Sequence, residues 1–414
     1  MTRVLARLFI VLFAFGASFA GAAEEAAPTP TPTPAAAVQT PQQPIIPAPP
    51  AIAARAWLLI DANTGKVIME HLADERMAPA SLTKMMTGYV LSEAVRSGKV
   101  KWEDKAHISR NAWAQNPIFA GSSLMWVDIE SDVALRDLYY GLVISSGNDA
   151  SVAIAEHLAG SEDSFAALMN EQAARLGMTN THFVNSHGLP HPEHYTTARD
   201  LAILSRAMIA DHPEDYTVYA QQYFMYNNIR QMNRNELLGE PGVDGIKTGH
   251  TAEAGYCLVT SANRDGMRLV AVVLGTDSKL ARKEESRKML NYGFRFHETV
   301  KVLAAGQSLT DPPLEVWAGG SDSVRLGVAA DLHVTVPRGR AAELKAAYVL
   351  DEGYQAIEAP VTTGQVMGRV VVDLAGEPVA EVPLVALDTV ERGGFFRVLW
   401  DSLMLFFLRL FGGL

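Results

Sequence analysis

A serine hydroxyl attacks a carbonyl only when a base removes its proton. Ser81-Leu82-Thr83-Lys84 offers a serine and a lysine at a spacing that allows this. Pro79, just before a helical run, is a helix start signal and puts Ser81 in the first turn. Residues three apart share a helix face, so the Lys84 amine lies within reach of the Ser81 hydroxyl. Lysine serves as a base once burial or a neighbouring cation lowers its pKa, and the helix N-terminus favours negative charge developing at Ser81. Alone, the pair also reads as an N-capping serine followed by a solvated lysine. Two further triplets shift that balance. In Ser146-Gly147-Asn148, Asn148 brings a donor and an acceptor for a substrate amide, and Ser146 can pass a proton between base and leaving group. In Lys247-Thr248-Gly249, a cation and a hydroxyl suit a carboxylate, and Gly249 leaves room for a chain against a strand edge. A second Ser-x-Asn copy, Ser261-Ala262-Asn263, falls at a hairpin turn, where turn chemistry accounts for it.

The elements that must position these groups follow from periodicity. Ala56-Trp57-Leu58-Leu59-Ile60-Asp61 reads as a strand, Asn63-Thr64-Gly65-Lys66 as a turn, and Val67-Ile68-Met69-Glu70 as the returning strand. A second hairpin joins Leu258-Val259-Thr260-Ser261 to Leu269-Val270-Ala271-Val272-Val273-Leu274 through Asn263-Arg264-Asp265-Gly266. Between them the pattern predicts helices over 82–97, 135–144, 150–158, 164–176 and 198–210. Ser146-Gly147-Asn148 then lies in a loop after the second helix, and Lys247-Thr248-Gly249 just before the strand containing Tyr256 to Ser261, where the bland alternative to a binding role is a polar turn. Helices between outer strands make an α/β layer, with strands from both ends of the domain sharing one sheet. Beyond residue 298, short strands at 332–336, 344–350 and 370–372, separated by Gly- and Pro-bearing turns, predict a small all-β sandwich.

The three triplets in this order, the last just before a strand, are the signature of penicillin-binding proteins and class A β-lactamases. The chain resembles the low-molecular-mass penicillin-binding proteins, D-alanyl-D-alanine carboxypeptidases of the penicillin-binding protein 5 and 6 type. The resemblance rests on Pro79-Ala80-Ser81-Leu82-Thr83-Lys84-Met85-Met86-Thr87, Ser146-Gly147-Asn148-Asp149-Ala150, Asn233-Arg234-Asn235 and Val243-Asp244-Gly245-Ile246-Lys247-Thr248-Gly249-His250-Thr251. It implies a serine β-lactamase/transpeptidase-like catalytic domain followed by the β domain. It also implies that Ser81 is acylated, that Lys84 is its base, and that Ser146 and Asn148 line the cleft. Arg234, Lys247 and Thr248 would hold the terminal carboxylate of a peptidoglycan stem peptide, beside Gly249. The backbone N–H groups of Ser81 and His250 would form the oxyanion hole, and His187 would edge the site as an accessory residue. β-Lactams would acylate the same serine. A β-lactamase, or a non-catalytic cell-wall-binding protein on the same fold, are the rival readings.

Composition narrows the setting. Losing residues 1–22 removes Arg3, Arg7 and no acid, leaving 33 basic against 46 acidic side chains, a charge of −13 that argues against a nucleic-acid partner. Arg3 and Arg7, the apolar run 8–15, and small residues ending at Ala20 and Ala22 make 1–22 a secretory signal peptide and predict a periplasmic protein. Residues 23–54 hold nine of the 21 prolines and read as a disordered linker. The catalytic domain is expected over 55–297, the sandwich over 298–389 and an anchoring helix over 390–414. Within 395–411, Arg397, Asp401, Ser402 and Arg409 share one helical arc, interrupted by Leu405 and Leu408. That pattern favours a helix lying on the inner membrane over a short transmembrane tail. Cys257, the lone cysteine, excludes an intrachain disulfide. His182, His187, His191 and His194 run through a loop instead of one helical face, so neither a metal nor a cofactor is expected.

Overall fold

The computed structural model describes residues 46–354 and 356–411. Residues 1–22, expected to be a signal peptide, and the proline-rich segment up to residue 45 lie outside the described residues. The first strands, β1 (Ala56–Asp61) and β2 (Val67–His71), pair antiparallel as expected. Helices and short strands follow: α1 (Thr83–Arg96), β3 (Lys105–His107), β4 (Asp132–Ala134), α2 (Leu135–Tyr140), α3 (Asn148–Ala159), α4 (Glu162–Leu176), α5 (Ala198–Asp211) and α6 (Pro213–Tyr216). The hairpin β5 (Tyr223–Tyr226) and β6 (Ile229–Met232) precedes β7 (Val243–Thr251), β8 (Gly255–Arg264) and β9 (Met267–Thr276). The main sheet has the order β2-β1-β9-β8-β7, so the two ends of the segment do share one sheet.

Period-two alternation explains how that sheet buries both faces. Leu58, Ile60, Val270, Val272 and Leu274 join the helices α1, α3 and α5 in one apolar cluster. Leu59, Leu269, Ala271 and Val273 point the other way, onto Met289 and Leu290 of α7 (Lys279–Phe296). This helix escapes the hydrophobic pattern because six of its first nine residues are charged; its one local signal is the N-cap Ser278, whose hydroxyl accepts from Ala281 N–H. Residues 46–54, expected to be linker, instead pack here. Ile46, Ile52 and Ala54 join the second cluster, and Tyr292 Oη donates to the Pro47 carbonyl at 3.0 Å. Isolated apolar residues among the prolines supply that burial.

Two placements differ from expectation. Lys247-Thr248-Gly249 is not a turn but the middle of the edge strand β7, paired with β8 from Lys247↔Val259 to Gly249↔Cys257. Ser261-Ala262-Asn263 lies within β8; the turn is shifted to Asp265-Gly266, both at positive φ (51° and 82°).

After α7 the chain enters β10 (His297–Leu303), β11 (Leu314–Trp317), β12 (Ser323–Val324), β13 (Leu326–Gly327), β14 (Leu332–Pro337), β15 (Leu344–Leu350), β16 (Ile357–Glu358), β17 (Val366–Leu374) and β18 (Glu377–Ala386). These form a β domain with its own core, including Val316, Leu326, Val334, Met367, Val370 and Leu384. It contacts the main sheet through buried Asp61, which accepts hydrogen bonds from Thr299 and, at 2.8 Å, from Thr335. The last helix, α8 (Phe395–Leu410), docks its polar arc on this domain. Asp401 accepts from Ala318 N–H at 2.8 Å, Arg397 pairs with Asp322, Arg409 pairs with Glu358 at 2.7 Å, and Leu405 is buried. The arc expected to face water is therefore a docking face, which explains why Leu405 interrupts it. No described helix is long and apolar enough to cross a membrane.

Candidate active site

Ser81 sits in a one-turn 3-10 helix, Ala80–Leu82, that runs directly into α1. Ala80 just before it has φ +50°, a left-handed conformation that alanine rarely adopts. Two glycines make the turn's close packing feasible. A Cβ on Gly249 would stand 3.0 Å from the Pro79 carbonyl and 3.3 Å from Ala80 Cβ. The bare position thus lets β7 press against the turn that carries Ser81, more than it opens room for a substrate chain. Gly188 (φ +91°) is tighter still, since a Cβ there would lie 1.9 Å from the Ala80 carbonyl oxygen.

Lys84 Nζ lies 3.2 Å from Ser81 Oγ, as the spacing predicts. Its other partners come from far along the chain: Nζ donates to Asn148 Oδ1 at 2.7 Å and to the His187 carbonyl at 2.6 Å. Burial lowers its pKa to about 7, against opposing pulls from the Asp149 and Glu162 carboxylates. Asn148 therefore gives its acceptor to Lys84 and keeps its amide N–H groups for other partners. Ser146 ends a π-helical turn, Gly141–Ser145, at φ 62°, ψ 36°, and Asn148 opens α3.

Lys247 is 2% exposed and donates to Ser146 Oγ at 2.8 Å. Burial pushes its pKa well down, helped by the charges of Lys84, Arg234 and Arg282. It thus backs Ser146 and stays off the cleft wall. The cleft itself, of about 760 Å³, is lined by Ser81, Ser146, Asn148, His187, Arg234, Thr248, Gly249, His250 and Arg282. Arg234 projects into it from a loop pinned by its neighbours: Asn233 donates to the Gln221 carbonyl at 2.9 Å and Asn235 to the Gly245 carbonyl at 2.8 Å. His250 stacks on Tyr256, with ring centroids 4.0 Å apart.

Arg282, on α7, escapes the sequence reading. It is 7% exposed, donates to the Gly249 carbonyl at 3.2 Å, and stands 5.8 Å over the Tyr256 ring. No motif marks it; the only available hint is a basic residue one turn into the helix that follows β9. The four loop histidines do not converge. His182 contacts the Glu193 carbonyl, and His191 Nδ1 accepts from Glu193 N–H. His194 Nδ1 accepts from Val184 N–H, and its Nε2 lies 2.7 Å from Thr83 Oγ1. Among the described residues no group of three or more His, Cys, Asp or Glu is placed to hold a metal.

Residues 40–278 match the family model described as D-alanyl-D-alanine carboxypeptidase, which covers more than half of the chain. The chain belongs to this family. Residues 297–392 match the model of the penicillin-binding protein 5 C-terminal domain. D-alanyl-D-alanine carboxypeptidase DacA of Escherichia coli is 45% identical over 371 residues, 89% of this chain and 91% of the relative. The crystal structure of penicillin-binding protein 5 from Haemophilus influenzae superposes with TM-score 0.78 at 41% identity, covering 83% of this chain and 99% of that one. Penicillin-binding protein D2 of Listeria monocytogenes, solved in an ampicillin-bound form, gives TM-score 0.52 at 32% identity, over 59% of this chain and 98% of that one. The molecule is thus a serine D-alanyl-D-alanine carboxypeptidase of the penicillin-binding protein 5 and 6 type. The carboxypeptidase carries both the mixed α/β catalytic fold and the C-terminal β domain of its relatives.

Proposed function

We propose that the carboxypeptidase removes the terminal D-alanine of peptidoglycan pentapeptide stems through an acyl-enzyme on Ser81. The observation that carries this reading is the bonding of Lys84. A neutral amine has two N–H groups and one lone pair. Both hydrogens are engaged, by Asn148 Oδ1 and the His187 carbonyl, so the lone pair is left for Ser81 Oγ at 3.2 Å. With its pKa held near 7, Lys84 takes the hydroxyl proton as Ser81 Oγ bonds to the penultimate carbonyl carbon. The tetrahedral oxygen faces the backbone N–H groups of Ser81 and His250. The C–N bond to D-alanine then breaks, Ser146 passes the proton to the leaving amine, and water hydrolyses the ester. The Lys247 amine, donating to Ser146 Oγ at 2.8 Å, orients that hydroxyl for the transfer. Arg234, Arg282 and the Thr248 hydroxyl receive the terminal carboxylate at the far end of the cleft.

β-Lactams acylate the same serine in this reading, as the ampicillin-bound Listeria relative suggests. The domain division is read as catalytic over 55–297 and β over 298–389, with the residue 46–54 stretch added to the first. The protein is read as periplasmic, held on the outer face of the inner membrane by α8. Its docked polar arc leaves Phe395, Phe396, Leu399, Trp400, Phe406 and Leu410 exposed together, as a helix lying in lipid requires. The decisive experiment incubates purified protein with a peptide ending in D-Ala-D-Ala and with a fluorescent penicillin, mapping the modified peptide by mass. Release of D-alanine with label on Ser81 is expected; label elsewhere, or release undiminished in Ser81→Ala, overturns the assignment.

A further inference from the structure

Glu162 belongs to none of the three motifs, yet it reaches the catalytic lysine through one loop. It opens α4, after the N-cap Ser161. Its Oε1 accepts from Ser186 N–H at 3.1 Å and from Ser186 Oγ at 2.7 Å. Its Oε2 lies 3.5 Å from His187 Nε2. The Leu189 N–H donates to His187 Nδ1 at 3.0 Å, so the ring hydrogen sits on Nε2 and faces the carboxylate. From the other side Thr87 Oγ1 donates to the Ser186 carbonyl at 2.6 Å, and Asn185 Oδ1 accepts from Gly188 N–H at 2.7 Å. The strap 185–189 is therefore tied from both sides. Its next carbonyl, that of His187, accepts from Lys84 Nζ at 2.6 Å.

We propose that Glu162 is a positioning residue for Lys84: it fixes the Ser186–His187 peptide whose carbonyl grips Nζ, and it sets a carboxylate charge behind that grip. The proposal rests on the reading of Lys84 as the base for Ser81. Burial raises the Glu162 carboxyl, but the hydrogen bonds from His187 and from the two Ser186 donors outweigh it and hold it down to about 2. The charge is thus present throughout the neutral range. The charged or titratable groups facing Lys84 are Asp149 from α3, Glu162 from α4, Lys247 from β7, and His187 and His194 from the strap's loop. Asp149 is committed elsewhere, accepting from the N–H groups of Met125, Trp126, Val127 and Ala150. Glu162 is the acid that can be changed without dismantling that wall.

The test measures the rate of fluorescent penicillin acylation from pH 5 to 9 for the full-length protein, Glu162→Gln and Glu162→Ala. Glutamine keeps the acceptor for Ser186 and removes the charge. Loss of an anion favours the neutral amine, so the acid limb should move to lower pH by about half a unit or more, about threefold in rate on that limb relative to the plateau. Alanine also frees the strap and should lower the plateau about tenfold or more. An acid limb in Glu162→Gln that overlays the parent's or moves upward overturns the proposal, as does a parental plateau in Glu162→Ala. If the alanine variant does not fold, the glutamine variant decides alone. Failure of the base reading looks different: the parent itself then lacks an acid limb or labels away from Ser81.

Discussion

The pH dependence of Ser81 acylation is the sharpest consequence of the site. An exposed lysine titrates near 10.5, and burial brings Lys84 to about 7. That difference amounts to about 5 kcal/mol between its two protonation states. An ordinary lysine at pH 7 would hold its basic form in only about one molecule in three thousand; Lys84 holds it in roughly half. The acylation rate should therefore rise with pH along an acid limb with midpoint near 7, and at pH 5 stand at about one hundredth of its plateau. Stopped-flow acylation by a chromogenic cephalosporin, from pH 5 to 9, measures this directly. Lys84→Arg keeps a cation but cannot shed its proton near neutrality, so the plateau should fall by about 10²–10⁴ and the limb should vanish. A midpoint above 9 or below 5 in the parent protein, or an unchanged limb in Lys84→Arg, would refute the assignment of Lys84 as base.

Arg282→Ala should raise KM for peptides ending in a free carboxylate at least about tenfold, consistent with loss of a charge-assisted contact worth roughly 1.5–3 kcal/mol. Peptides amidated at that end should be affected far less, and equal losses on both would place Arg282 outside carboxylate binding. Gly188→Ala must place a Cβ where the Ala80 carbonyl stands, at φ +91°, so it should lower Tm and acylation together; a variant with parental Tm and rate would show that the strap can back away. Deleting residues 395–414 should move the mature protein from the membrane to the soluble fraction while acylation of Ser81 continues, because Ser81 lies in the catalytic fold and α8 docks on the β domain. Retention on membranes after the deletion would place the anchor elsewhere.

Much of this molecule is written locally. The Ser81–Lys84 spacing, the hairpin of β1 and β2, the helix spans and the arc of Arg397, Asp401 and Arg409 all follow from neighbours within a few residues. Helix and strand periods alone decide which side chains share a face. The sequence also marks Ser146, Asn148 and Thr248 as polar residues of one chemistry, and each lines the cleft. What it leaves open is decided by atoms that meet only on folding. Lys84 finds partners 64 and 103 residues away, and it is the burial among them that lowers the pKa of an ordinary lysine. Lys247, which the local pattern aims at a carboxylate, turns to a serine 101 residues distant once β7 becomes a buried edge strand. Arg282 and Glu162 carry no motif, because their roles come from where α7 and α4 pack and not from their own neighbours. α8 shows both halves at once. Its period determines that one face is polar and the other apolar, whereas only docking on the β domain decides that the apolar face is the one left exposed. Local spacing sets which groups can act together; burial and long-range hydrogen bonds, which need the whole chain, set the charge each one carries.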